Sequence, residues 1–195
     1  MKRPCVLIAI AVLVLLFVSG ICFAGEKEIK LFQGVEVLTG YAQSELEEKG
    51  AYDSVPLFVD LDFNLKRIFG KSDFYPPGML QFQIEPFLFG VYEPKANIET
   101  GTSIFLKLGI FPESWALQPY VKVGGGFSFM TTHAAEQSTQ LNYIETYVVG
   151  TNYYLTQNTA LTLEGRFRHM SNGGRKLPNH GINTDLYLAG ISYRF

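Results

Sequence analysis

Alternation constrains this chain more than any other feature. Over eight successive stretches between residues 34 and 195, apolar and polar side chains take turns with period two. Val59, Leu61, Phe63 and Leu65 oppose Asp60, Asp62 and Asn64, and Leu80, Phe82 and Ile84 oppose Gln81, Gln83 and Glu85. Ile104, Leu106, Leu108 and Ile110 oppose Ser103, Lys107 and Gly109, and Val121 and Val123 oppose Tyr120, Lys122 and Gly124. Successive side chains leave a strand on opposite faces, so each stretch has one greasy face and one polar face. The pattern predicts strands near 34–44, 55–67, 79–91, 98–111, 118–130, 142–155, 159–171 and 184–195. Turn residues separate them, among them Tyr75-Pro76-Pro77-Gly78, Glu93-Pro94, Phe111-Pro112-Glu113 and Gln157-Asn158.

Such a pattern suits either a soluble sandwich or lipocalin-like barrel, with the polar face outside, or a membrane barrel, with the polar face inside. Two features favour the membrane. The polar face mixes Asp60, Asp62, Glu85, Glu164, Arg166 and Arg168 with Gly109, Gly124 and Gly126, which fits a narrow barrel interior of paired charges and small residues. The chain also ends with Tyr187, Ala189, Ile191, Tyr193 and Phe195 on one face. A terminal phenylalanine behind alternating aromatics resembles the assembly signal of bacterial outer-membrane barrels. The expected fold is all-β: an eight-stranded antiparallel up-and-down transmembrane β-barrel.

Lys2 and Arg3, the apolar run Val6 to Val18, and Cys22-Phe23-Ala24 describe a secretory signal. The run is shorter than the roughly 20 residues of a spanning helix. Residues 1–24 are therefore expected to be cleaved, leaving 25–195 as one barrel domain. Both cysteines, Cys5 and Cys22, leave with the signal, so no disulfide framework or thiolate metal site is expected. The whole chain carries a formal charge of −2, and losing Lys2 and Arg3 makes it more acidic, which argues against nucleic acid. His133, His169 and His180 have no metal spacing, and neither metal nor cofactor is expected.

An even strand count puts both termini on the periplasmic side, short turns with them, and longer loops outside. Thr156–Asn158 fits a periplasmic turn, and 45–54, 131–141 and 172–183 fit external loops; 68–78 is long for a periplasmic one. The seventh strand then rises to the cell surface. On it Leu161, Leu163, Gly165, Phe167, His169 and Ser171 share the apolar face, while Glu164, Arg166 and Arg168 face inward as a charge network. On the eighth, Asn183 and Asp185 share the outward face of Tyr187 and Ile191. Polar groups near the interface cost only about 0–1 kcal/mol and need no functional reason by themselves. Their company supplies one: a hydroxyl, an imidazole and an amide or carboxylate converge across neighbouring strands, the logic of a nucleophile, a base and an orienting group. Asn172, Gly174 and Asn179 are candidate donors to an oxyanion.

These residues resemble the lipid A 3-O-deacylases of the PagL type. The family pattern His-x-Ser-Asn, a short basic loop, then Pro-Asn-x-Gly-Ile is matched by His169-Met170-Ser171-Asn172, Arg175-Lys176 and Pro178-Asn179-His180-Gly181-Ile182. The resemblance is dense over 169–183 and elsewhere is a compatible strand pattern. It implies an outer-membrane serine esterase acting on a fatty-acyl ester of lipid A, with Ser171 as nucleophile, His169 as base and Arg175 and Lys176 on substrate phosphates. The implied partners are lipopolysaccharide, the outer membrane, the barrel-assembly machinery and a second copy in a homodimer. One position departs: the family's glutamate is replaced by Asn183, so the third member is either Asn183 or Asp185. The competing expectation is a non-catalytic small barrel, an adhesin, a porin-like protein or a degenerate member of the family.

Overall fold

A computed structural model describes residues 31–47, 49–69, 76–131 and 136–195. The expected signal segment 1–24, with both cysteines, and His133 lie outside them. Eight antiparallel strands, each paired with its neighbours in sequence, form a closed barrel: β1 (Phe32–Leu46), β2 (Gly50–Asn64), β3 (Leu80–Val91), β4 (Asn97–Gly109), β5 (Leu117–Met130), β6 (Leu141–Tyr154), β7 (Thr159–Ser171) and β8 (Ile182–Arg194). Closure comes from β1 against β8, in register from Gly34↔Arg194 to Ser44↔Thr184. No strand edge is left open, the condition for a sheet to cross hydrocarbon.

Parity decides the faces as the sequence pattern implies. Ile104, Leu106, Val121, Val123, Val149, Leu163 and Tyr187 stand exposed on the outside. Glu36, Asp60, Gln83, Glu85, Glu99, Lys107, Lys122, Glu164, Arg166 and Arg168 are buried within. Arg166 grips Glu85 with two bonds of 2.7 Å and reaches Glu164 at 2.6 Å. Lys122 spans Asp60 at 3.0 Å and Glu164 at 2.8 Å, and Arg168 meets Glu99 at 2.6 Å. A charge buried without a partner costs several kcal/mol, so bidentate pairing is what makes this interior tolerable. Gly150 leaves room for the Tyr120 ring, whose hydroxyl donates to Glu164 at 2.7 Å; a Cβ there would lie 2.6 Å from the ring.

The interior differs from the expectation of charges and small residues in one respect. Towards the end bearing the β1–β2, β3–β4, β5–β6 and β7–β8 loops it becomes apolar. Leu38, Leu46, Tyr52, Phe58, Phe87, Phe89, Met130, Ile144, Met170, Ile182 and Leu186 form one buried cluster. These side chains close the lumen directly behind the ends of β7 and β8, which gives the outer wall there a packed backing.

The connections differ from expectation too. The expected loop 45–54 is mostly strand, because β1 and β2 extend until only 47–49 remain between them. Outward-facing residues beyond the hydrocarbon need not be apolar, so Glu45 and Asp53 can continue the ladder without continuing the greasy stripe. The long connection after β2 contains a single helical turn, α1 (Lys66–Phe69), which the strand pattern does not signal. At the end carrying the termini, Phe195 stacks on Phe32 and Tyr193, and Phe32 on Phe63, a belt of the kind found at membrane interfaces.

Candidate active site

Strand β7 places its odd residues outside and its even residues inside. Leu163 and Phe167 are 59% and 45% exposed, whereas Arg166 and Arg168, between and beyond them, are buried. His169 and Ser171 continue the outward series. A rise of about 3.3 Å per residue separates them by about 6.6 Å of strand.

The cross-strand register brings the third group alongside. His169 faces Asn183 on β8, while Asp185 faces Phe167 two residues lower. His169 Nδ1 lies 2.7 Å from Asn183 Oδ1. A carbonyl oxygen can only accept, so this pairing favours the ring form with hydrogen on Nδ1, and in the neutral imidazole that leaves the lone pair on Nε2. Of the two candidates for the orienting role, Asn183 is the one in contact with the ring. Asp185 lies in a shallow cleft toward β1 and β2, with Tyr41, Gln43, Glu45 and Asp53. On the other side of His169 stands Glu145, its register partner on β6. The sequence pattern offered no signal for it, since pairing between β6 and β7 was needed to place it there.

Gly181 seats the imidazole. It has φ +80°, and a Cβ on it would fall 2.5 Å from His169 Cε1. Only glycine combines that backbone conformation with that approach.

The loop after Ser171 turns through two more left-handed glycines, Gly173 at φ +66° and Gly174 at φ +74°. Asn172 is fully buried, and its donors are already used. Its backbone N–H donates to Asn179 Oδ1 at 2.8 Å, and its side-chain amide donates to Lys176 O at 2.7 Å and Ser138 Oγ at 3.1 Å. Asn172 therefore builds the loop rather than aiming a donor at substrate. Those bonds favour Gly174 and the amide of Asn179 over Asn172 among the expected oxyanion donors. Arg175 lies 4.6 Å over the Tyr143 ring and donates to Asn172 O and Leu141 O, both at 3.0 Å. Its two bonds and the ring hold the guanidinium above the outer wall; Lys176 beside it is exposed. His180 Nδ1 lies 3.4 Å from Glu47 at the surface, apart from the His169 ring.

Carboxylates of Glu36, Asp60 and Glu164 come within 4.8 Å of one another inside the barrel, a spacing a cation could use. Lys107 reaches Glu36 at 3.3 Å, and Lys122 and Arg166 already sit among the others, so ammonium and guanidinium groups occupy that role.

The outward site is thus an imidazole with a favoured tautomer, a hydroxyl on the same strand face, and a glycine-rich turn beyond them. Its position suits an ester held in a membrane leaflet. A family model described as lipid A 3-O-deacylase (PagL) matches residues 59–192. Among solved structures, the outer membrane enzyme PagL superposes with a TM-score of 0.60 at 17% identity, covering 82% of this chain and 99% of that one. Neisserial surface protein A superposes with a TM-score of 0.57 at 13% identity, covering 84% and 97%. At those identities the superpositions speak for the fold. A comparison with curated proteins gives no match.

Proposed function

This chain belongs to the lipid A 3-O-deacylase (PagL) family, and from that premise we propose that it is an outer-membrane serine esterase removing the 3-O-acyl chain of lipid A. The observation that carries this is the 2.7 Å bond from His169 to Asn183 on the lipid-facing wall, with Ser171 two residues along. Nε2 of His169 takes the Ser171 proton as Oγ bonds to the ester carbonyl carbon. The carbonyl electron pair becomes an oxyanion, met by donors of Gly174 and Asn179. The tetrahedral species expels the sugar oxygen, which receives the proton from Nε2. Water, deprotonated by the same nitrogen, then attacks the acyl-serine; the bond to Ser171 Oγ breaks, Oγ takes the proton back from Nε2, and the fatty acid leaves. Because the wall faces lipid, the acyl chain stays in hydrocarbon from binding to release. Arg175 and Lys176 beside the site complement lipid A phosphates.

Asparagine in the third position is compatible with this chemistry. In a serine protease triad, aspartate replaced by asparagine costs about 10⁴ in turnover, chiefly through the wrong imidazole tautomer. Here Asn183 offers its carbonyl oxygen, which selects the right tautomer; what is missing is a negative charge against the imidazolium. The same substitution supports the competing reading of a non-catalytic barrel, and one experiment separates the two. Purified protein in detergent with lipopolysaccharide is expected to release a 3-hydroxy fatty acid. Ser171→Ala and His169→Ala are each expected to abolish that release. Unchanged lipid mass with the wild type sinks the esterase reading.

A further inference from the structure

The residues of the candidate site come from β7, β8 and the loop between them, yet a segment of the preceding external loop, 136–139, is bonded to both the end of β7 and the β7–β8 loop. Gln137 Nε2 donates at 3.0 Å to the carbonyl of Met170, the peptide between His169 and Ser171. Gln137 lies opposite Asn179 in a short antiparallel pairing made by two backbone bonds. Ser138 N–H donates to Pro178 O at 3.2 Å, and His180 N–H donates to Glu136 O at 3.0 Å. The Ser138 hydroxyl donates to Lys176 O at 2.8 Å and accepts from the Asn172 amide at 3.1 Å. Glu136 and Gln137 are 3% and 2% exposed, so the bond from Gln137 to Met170 is made away from solvent, while the Ser138 bonds lie nearer the surface.

A loop with three left-handed glycines has little intrinsic reason to keep one shape. Its internal bonds tie Asn172 to Asn179, Lys176 and Arg175, closing it on itself. None of those internal bonds fixes the loop relative to β7. Arg175 ties the loop to β6 through Leu141 O and the Tyr143 ring, and the 136–139 segment ties it to β7: one end holds the strand between base and nucleophile, and the other holds the far side of the glycine turn. Oxyanion donors act only if they are preorganised, and a displacement of about 1 Å can cost 10²-fold.

We propose that Gln137 and Ser138 are positioning residues of the esterase site, a clamp from the neighbouring loop that fixes the glycine turn against Ser171. This rests on the esterase reading above. Ser138→Ala removes both hydroxyl bonds, and Gln137→Met keeps the shape of the side chain while removing the donor to Met170. Each is expected to lower kcat for lipopolysaccharide about tenfold or more, with KM within about twofold, because bulk lipid binding is untouched. Ser138→Thr, which retains the hydroxyl, is expected to recover most of the wild-type kcat. Circular dichroism in detergent checks that the barrel is intact in each.

Hydrogen exchange of the Gly173 and Gly174 amides tests the clamp without turnover. Faster exchange in Ser138→Ala than in wild type supports it; equal exchange overturns it. Wild-type protein that releases no fatty acid defeats the esterase reading instead, and exchange then decides whether 136–139 fixes the loop at all. Full kcat in folded Ser138→Ala and Gln137→Met also overturns the proposal.

Discussion

The two faces of β7 show how one strand divides its labour. Inward, Glu164, Arg166 and Arg168 are buried, and each makes two or more polar contacts: with Tyr120 and Lys122, with Glu85, with Glu99 and Thr184. Outward, His169 has a single hydrogen bond of its ring and lies partly open to the leaflet. The inward face is over-determined, as a buried ionic layer must be. The outward face is held by few contacts and so keeps its lone pair and hydroxyl available. On the proposed function, period-two parity would let stability and reactivity sit on adjacent residues without sharing partners.

The sharpest attack on that division compares substitutions on the two faces. Ser171→Ala and His169→Ala should reduce fatty-acid release by about 10³-fold or more, since members of a catalytic unit act together. Their unfolding midpoints should stay close to wild type. Arg166→Met should do the reverse. It leaves Glu85 with Lys122 at 3.8 Å and the neighbouring Asp60 carboxyl but without its guanidinium, and removing one partner of a buried pair costs about 3–5 kcal/mol. Urea unfolding in detergent measures that loss, while kcat per folded molecule should remain within about twofold. If folded Arg166→Met loses most of its turnover, the faces are coupled and the division fails.

A smaller effect separates the two candidates for the orienting group. Asn183→Ala should lower kcat about 10²-fold, because the imidazole loses the acceptor that holds Nδ1–H. Asp185→Ala should change it by no more than about threefold, since the register partner of Asp185 on β7 is Phe167 and not His169. Comparable losses from both would mean that the ring changes partner during the reaction.

How much of this was legible beforehand follows from range. Parity is a local property, so the outward placement of His169, Ser171, Asn183 and Asp185 could be read from the sequence once strands were granted. Register is less local: that Asn183 rather than Asp185 meets the ring needs the exact β7–β8 hairpin offset, which depends on the shape of a ten-residue loop. The roles of Gln137 and Ser138 were beyond reach, because their partners lie more than thirty residues away and no periodicity marks a loop that docks on another loop. The β1–β2 extension was hidden for a different reason. Above the membrane the outward residues no longer have to be apolar, so the signal that reveals a strand disappears while the hydrogen-bonded ladder continues.

Gly181→Ala gives the finest test, because it touches the site through geometry alone. The position has φ +80°, where an L side chain costs about 1–2 kcal/mol, and the new methyl would lie 2.5 Å from His169 Cε1. His169 is laddered on both sides and β8 begins at Ile182, one residue on, so the methyl is expected to displace the flexible end of the ring. A displaced ring must lengthen its bond to Asn183 or turn Nε2 away from Ser171. The expected result is a fall in kcat of about tenfold with the barrel intact, less than deleting the acceptor because the tautomer is still available. A His169 ring that tolerates the methyl at full turnover would show that the outward face is looser than its single hydrogen bond implies, and that the glycine serves the turn and not the base.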